Sequence, residues 1–371
     1  MQNTTLTPAA AYPPGRLSGA TSRATPGRLL IAVASVILAV MGAVQILHEA
    51  AGFPLGFANW RPVLYTFVLW GIALGIGQVL IRGEKGKRAL FILPAALFTV
   101  AMVIFPTLFG FYIALTDWNL SSFSGQRFNG ADNLTALFRD AYYGNALLNM
   151  VYYVLAVLVE YAIAFALALL LNAEIKARKF FRVAFLLPFM LSPVAVSWMI
   201  GKSMMEYRYG PLATLARRLG WQSPSFFTDP WVARLSIEAM DAWVSIPFMM
   251  ILLLAGLQAL PKDVMEASRI DGANRWQQFW EITFPLMLPV SITAIVLRII
   301  FKLKLADIVI NTTSGGPGGA TDTVSSFIYR EYRDRSNVGY GTMLAMFYLV
   351  LIVVFVTLLL NFTARFVRRI T

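Results

Sequence analysis

Eight apolar runs leave this chain little choice of fold: they occupy residues 29–47, 62–81, 89–115, 146–172, 183–200, 236–258, 285–304 and 342–364. Each is about the length a helix needs to cross the roughly 30 Å hydrocarbon core of a bilayer. No water reaches the backbone there, so every N–H and C=O must be paired within the segment, which a helix achieves. The expected fold is an all-α polytopic membrane protein with about eight transmembrane helices. Composition agrees, with 58% hydrophobic and 13% charged residues and a mean hydropathy of +0.66, where soluble domains carry about a quarter charged residues. The lack of cysteine excludes disulfides and thiolate chemistry, and a single histidine, His48, excludes a His-cluster metal centre.

An even number of spans puts both termini on one side. Lys and Arg are about twice as dense in the inter-span segments that share the N-terminal side, which the positive-inside rule assigns to the cytoplasm. The cluster Arg82, Lys85, Lys87 and Arg88 falls there, and only the long segment 201–235 runs against the trend. The net charge of +12 is therefore read as cytoplasmic loop charge rather than a nucleic-acid surface. Residues 1–27, rich in Thr, Ser, Pro, Ala and Gly with no acidic residue, are expected to be a disordered cytoplasmic tail. The first run has a long polar leader and no convincing cleavage site, so it reads as a retained span rather than a signal peptide.

Between the sixth and seventh runs lies LPKDVMEASRIDGANRWQQFWEITFPLMLP, from Leu260 to Pro289. Pro261 suits a first helical turn, and Asp263 and Glu266 place negative charge at the positive end of the helix dipole. Gly272 permits a sharp turn. A second short helix is expected from about Asn274 to Ile282, ending where Pro285 starts the next span. Glu266, Ala267, Gly272, Ile282 and Pro285 stand at the spacing of the EAA motif, EAA-x3-G-x9-I-x-L-P, with Ser268 in place of the second Ala and Phe284 in place of Leu. In this the chain resembles the membrane subunits of binding-protein-dependent ABC importers. The resemblance implies that Glu266, Ala267, Ser268, Asp271, Gly272, Ile282 and Pro285 couple the chain to a cytoplasmic ATPase. A second EAA, Glu49-Ala50-Ala51, has Leu55 where the Gly belongs and reads as coincidence.

Further fragments are similar to the carbohydrate-uptake branch, the maltose-type first permease subunit. These include Thr116-Asp117-Trp118, Phe128-x-Gly130-x-Asp132-Asn133, Asp241-x-Trp243 and Arg269-Ile270-Asp271-Gly272-Ala273, then Gly315-Gly316-Pro317 and Thr321-Asp322-Thr323. The implied organisation is a tail at 1–27, two extra helices at 28–88 and a six-helix permease core at 89–371, with the coupling loop at 260–285. The implied assembly has a second homologous permease, two cytoplasmic ATPase subunits and an extracytoplasmic solute-binding protein, in the bacterial inner membrane with both termini cytoplasmic. The chain has no phosphate loop of its own, since Gly83-Glu84-Lys85-Gly86-Lys87 has the wrong spacing. ATP and Mg are accordingly expected on the partner ATPase, and this chain is expected to be a transport subunit without a cofactor or an enzymatic reaction.

Arg298 and Lys302, four apart and so on one face of the seventh run, lie beside Lys304 and Asp307. Arg298 is about 20 Å past Pro285 along a helix, and a lipid-facing Arg at that depth costs about 2.5–3.5 kcal/mol. Two readings stay open here. Arg298, Lys302, Lys304 and Asp307 line the translocation path and meet an acidic, uronate-containing oligosaccharide, or Arg298 pairs with Glu160, midway through the fourth run, and the longer cations snorkel. A neutral oligosaccharide or a sugar phosphate is the alternative cargo. An ion-coupled secondary transporter is the remote alternative for the whole chain, and a membrane enzyme lacks a clustered acidic metal site in the sequence.

Overall fold

The computed structural model describes residues 18–51, 53–123, 125–173 and 176–367. Among them no regular strand occurs; Thr116 with Phe128 and Asn119 with Asn337 form isolated bridges. The helices are α1 (Ser18–Ala51), α2 (Arg61–Arg82), α3 (Glu84–Ala114), α4 (Asp132–Arg139), α5 (Ala141–Asn172), α6 (Arg178–Met190) and α7 (Pro193–Met204). They continue as α8 (Pro211–Arg218), α9 (Pro230–Gln258), α10 (Lys262–Ile270), α11 (Arg275–Lys302), α12 (Asp307–Thr312), α13 (Val324–Arg333) and α14 (Val338–Val367).

Seven of these are long and apolar enough to cross a membrane, and an eighth is reached if α6 and α7 count as one span. That pair corrects the reading of 183–200 as a single helix, because the two axes diverge by 94°. The break has a local cause. Leu191 and Ser192 are extended, the Ser192 hydroxyl caps α7 by accepting from the Ala195 N–H at 3.3 Å, and Pro193 occupies the first turn, where its missing N–H is not needed.

The tail expected at 1–27 is also revised: residues 1–17 lie outside the described residues, but 18–27 are already helical. Pro26 lies inside the helix, which continues on both sides of it although the proline has no N–H to donate.

The described chain divides into two compact units, Met1–Phe109 and Gly110–Thr371. In the first unit, α2 packs on both α1 and α3. Trp70 donates to the Ser35 hydroxyl at 2.9 Å, and Gly71 leaves the space that Leu97 of α3 fills. By packing, the third apolar run sides with the two N-terminal helices as far as Phe109. The second unit is built around α9, half of whose apolar window is buried, whereas none of the window of α3 is. Val157, Ala164 and Ala168 of α5, Met250 and Leu253 of α9, Met287 and Ala294 of α11 and Leu344 of α14 form its core. Small residues on α5 and α11 allow the close helix approach on which packing in lipid depends. The short loop before α4 is braced as its polar residues imply. Asn133 donates to the carbonyls of Ala114 and Thr116 at 2.8 and 2.7 Å, and the Asp117 carboxylate accepts from the Arg127 N–H at 2.8 Å.

Candidate functional site

Three helices of the second unit each contribute charge to one buried point. Arg298 and Lys302, one turn apart on α11, face Glu160 of α5 together with Glu238 and Asp241, one turn apart on α9. The Glu160 carboxylate receives Arg298 as a fork, Nε at 2.5 Å and Nη2 at 3.1 Å. The other partner of Arg298 Nη2 is Asp241. Lys302 Nζ donates to Glu160 at 2.8 Å, Glu238 at 2.7 Å and Asp241 at 2.5 Å. Its three ammonium hydrogens thus have three carboxylate acceptors. Lys302 is 0% exposed and Arg298 3%. Tyr153 closes the cluster, its ring centroid 5.8 Å from Lys302 Nζ.

Of the two readings left open for Arg298, the structure forms the pairing with Glu160. Lys302 is enclosed rather than snorkelling. Lys304 and Asp307 do not join the cluster; both are exposed just beyond it. Glu238 and Asp241 went unrecognised as partners, although two carboxylates three apart in an apolar run, matching two cations four apart in another, was a legible signal. The Glu238 Oε2 atom is paired, but its Oε1 is buried without a partner. It borders a groove of about 370 Å³ between α5 and α9, lined by Tyr152, Ala156, Glu160, Leu235, Glu238 and Ala242.

Beyond the cluster, the glycine-rich loop after α12 folds back over α5 and α9. Asn145 and Asn149 of α5 donate to the Gly319 carbonyl at 2.7 and 3.0 Å, Asn149 donates to the Asp322 carbonyl at 2.9 Å, and Arg234 of α9 donates to the Ala320 carbonyl at 2.8 Å. Asp322 pairs with Arg330; burial pushes its carboxyl above the usual range against the pull of that guanidinium.

At the other end of α11 lies the coupling loop. Glu266, Ala267, Asp271 and Gly272 are exposed, Ile282 and Pro285 are half-buried, and Ser268 is buried. Ser268, the departure from the motif, donates its hydroxyl to the Met265 carbonyl one turn back at 2.9 Å, so the extra polar atom is satisfied inside α10. Ser268→Ala is therefore expected to change the thermal midpoint by little, within about 0.5–1.5 kcal/mol of stability, and to leave transport intact. The turn depends on Gly272, whose φ of +81° is left-handed. Asn274 then caps α11 with a reciprocal bond to Gln277. The second helix does not stop before Pro285. It runs from Arg275 to Lys302 through a π-helical stretch at Gln278–Thr283 that leads into Pro285. A π-turn redirects the carbonyls a proline cannot serve. The loop also leaves apolar side chains uncovered, with Ile270 86% and Trp276 70% exposed.

The profile of the binding-protein-dependent transport system inner membrane components matches residues 141–370, which hold the ion cluster, the glycine-rich loop and the coupling loop alike. The chain belongs to this family. Among permeases of the family, it is 33% identical to the trehalose/maltose transport system permease protein MalF of Thermococcus litoralis, over 72% of this chain and 90% of that protein. It is 31% identical to the sulfoquinovosyl glycerol transport system permease protein SmoG of Agrobacterium fabrum, over 71% and 86%. A solved bacterial ABC transporter involved in the import of the acidic polysaccharide alginate contains a chain with the same fold, at a TM-score of 0.65 and 21% identity, covering 82% of this chain and 98% of that one. The resemblance drawn from the EAA motif thus holds, and the chain is a multi-pass ABC importer permease.

Proposed function

We propose that the chain is one of two membrane subunits of an ATP-driven sugar or oligosaccharide importer in the bacterial inner membrane, with both termini cytoplasmic. The carrying observation is the exposed EAA-motif loop, whose second helix runs unbroken from Arg275 to the residues Arg298 and Lys302. In this reading Glu266, Ala267, Asp271 and Gly272 enter a partner ATPase, which binds ATP and Mg. Ser268, Ile282 and Pro285 hold the loop's shape. A second homologous permease completes the path, and a soluble binding protein delivers the cargo. Sugar cargo is supported by the relatives, which transport trehalose or maltose in one case and a sulfoquinovosyl glycerol in another.

Glu160, Arg298 and Lys302 frame the translocation path from within, and Lys304 and Asp307, being exposed, are the residues that reach into it. Arg298 and Lys302 spend their charge on three carboxylates, so the cluster offers no free cation to an anionic cargo. That favours a neutral oligosaccharide. An acidic cargo remains the second reading because the Lys304 ammonium is exposed. The test is ATPase activity of the complex in lipid with its binding protein. We expect maltotriose to stimulate turnover and a uronate trisaccharide not to. Stimulation by the uronate alone would transfer the role to Lys304 and overturn the neutral reading, and stimulation by neither would remove both.

A further inference from the structure

We propose that Arg178 and Arg182 form a phosphate site at the coupling-loop end of the second unit, and that the headgroup of an anionic phospholipid fills it. The two arginines stand one turn apart on α6 and converge on a single neutral group. With its amide oxygen turned toward them, Gln258, the last residue of α9, accepts from Arg178 Nη2 at 3.0 Å and from Arg182 Nη2 at 2.6 Å. An amide oxygen satisfies hydrogen bonds but cancels no charge. Like charges one turn apart repel, and both guanidiniums are half-buried, with the Nε of each shut off from water and unpartnered. Partly desolvated cations call for an anion beside them.

Among the described residues none supplies it. No carboxylate forms an ion pair with either guanidinium. The elements packed on α6 are α5 and α9, and the last three turns of each, 162–172 and 248–258, hold no charged residue. Lys176 and Lys179, exposed on either side of Arg178, add charge of the same sign, and Asp263 and Glu266 of the coupling loop are exposed and pair with neither arginine. Glu174 lies outside the described residues. The start of α6 contributes donors as well, because Ala177 has no side-chain acceptor for the first N–H groups. Side chains lean toward a helix N-terminus, so Arg182 reaches back over that open turn. Guanidinium forks beside free N–H groups suit the oxygens of a phosphate.

Two observations choose a lipid as the source of that phosphate. The apolar spans α5 and α9 end at Asn172 and Gln258, so the pair lies where a span leaves hydrocarbon and meets the headgroup layer. From the pair an uncovered apolar stripe leads back along the span. Ala255 and Ile251, three and seven residues before Gln258 and so on its face of α9, are exposed, as is Phe181, between the two arginines in sequence. A phospholipid lays its chains on such a stripe while its phosphate meets the guanidiniums; a free phosphate makes no use of it. The surplus of cations, Lys176, Arg178, Lys179 and Arg182, favours a headgroup of net negative charge. The inference rests on the membrane placement of the chain and not on its cargo.

The test uses the assembled transporter in detergent, with phosphatidylglycerol, phosphatidylcholine or inorganic phosphate added. The thermal midpoint and the lipids retained in native mass spectrometry are the readouts. We expect phosphatidylglycerol to raise the midpoint, with affinity lower by about tenfold or more in Arg178→Gln/Arg182→Gln. Lys179→Gln, at the exposed neighbour, should bind the lipid as wild type does. The double variant also loses both bonds to Gln258, so Gln258→Glu gives an arm free of that defect. Its carboxylate supplies the anion from within, and should raise the midpoint without lipid and abolish the response to phosphatidylglycerol.

Undiminished lipid retention by the double variant, or an unchanged response in Gln258→Glu, would overturn the proposal. Equal stabilisation by inorganic phosphate would make a free anion the occupant, and equal stabilisation by phosphatidylcholine would remove the need for a charged headgroup; either result sinks it. A tenfold gain in lipid affinity on Glu174→Gln would identify Glu174 as the resident counter-ion instead. A response present in the chain alone but absent once an ATPase is bound would turn the pair into a contact for that protein.

Discussion

Arg298→Ala is expected to unfold or disassemble the protein rather than merely slow transport. The substitution leaves Glu160 without its forked donor and Asp241 with Lys302 alone, three carboxylates against one cation in a buried site. Removing one partner of a buried ion pair costs about 3–5 kcal/mol, because the charges left behind are neither solvated nor paired. A domain's whole stability is only about 5–15 kcal/mol. The expected readout is a large drop in the thermal midpoint of the purified complex, with much less protein surviving extraction from the membrane. Arg298→Lys keeps the charge but loses the planar fork, and should fall between the two. A fully stable Arg298→Ala variant that had lost uptake would instead mean that the guanidinium acts on cargo and not on the fold.

Gly272→Val is expected to do the converse, abolishing coupled transport in a chain that still folds. At φ +81° a side chain meets the following carbonyl, which costs about 1–2 kcal/mol and more for a β-branched residue. Space is not the obstacle, since nothing lies within 4 Å of where a Cβ would stand. The turn is exposed, so the strain is relieved locally by abandoning the left-handed conformation, and the orientation of α10 changes with it. A shift of that size lowers the docking-competent population about tenfold or more. Gly272→Asn, which tolerates the left-handed region, should retain part of the activity. Binding-protein-stimulated ATP hydrolysis would be the readout, with the thermal midpoint as the control for folding. A fully coupled Gly272→Val would show that the turn is not required.

How much of this was readable in the residues depended on the range of the physics involved. The spans were legible because hydrocarbon thickness is a constraint on length, and the turn at Gly272 and the cap at Asn274 were legible because both are local. The Arg298–Glu160 pair was half legible, since a buried Arg needs an acid and Glu160 stood in a neighbouring run. Asp241 and Glu238 were missed because pairing across three helices depends on rotations about each axis that no single segment encodes. The 94° break lies between Pro188 and Pro193, and prolines in a sequence signal that a helix bends and not by how much. The continuity of α11 ran against expectation. Pro285 was taken as a start signal, but a π-helical stretch carries the helix into it.

That continuity turns α11 into a lever. Its 28 residues span about 42 Å, with the uncovered Trp276 near one end and Lys302 at the other. A rod of that length tilted by about 5° moves its far end by about 4 Å, more than the 2.7 Å between Lys302 and Glu238. A modest push on the Trp276 end is therefore enough to carry Lys302 out of hydrogen-bond reach of its carboxylates. Because Glu160, Glu238 and Asp241 hold Lys302 all at once, the three carboxylates together resist that movement and pin the far end of the rod.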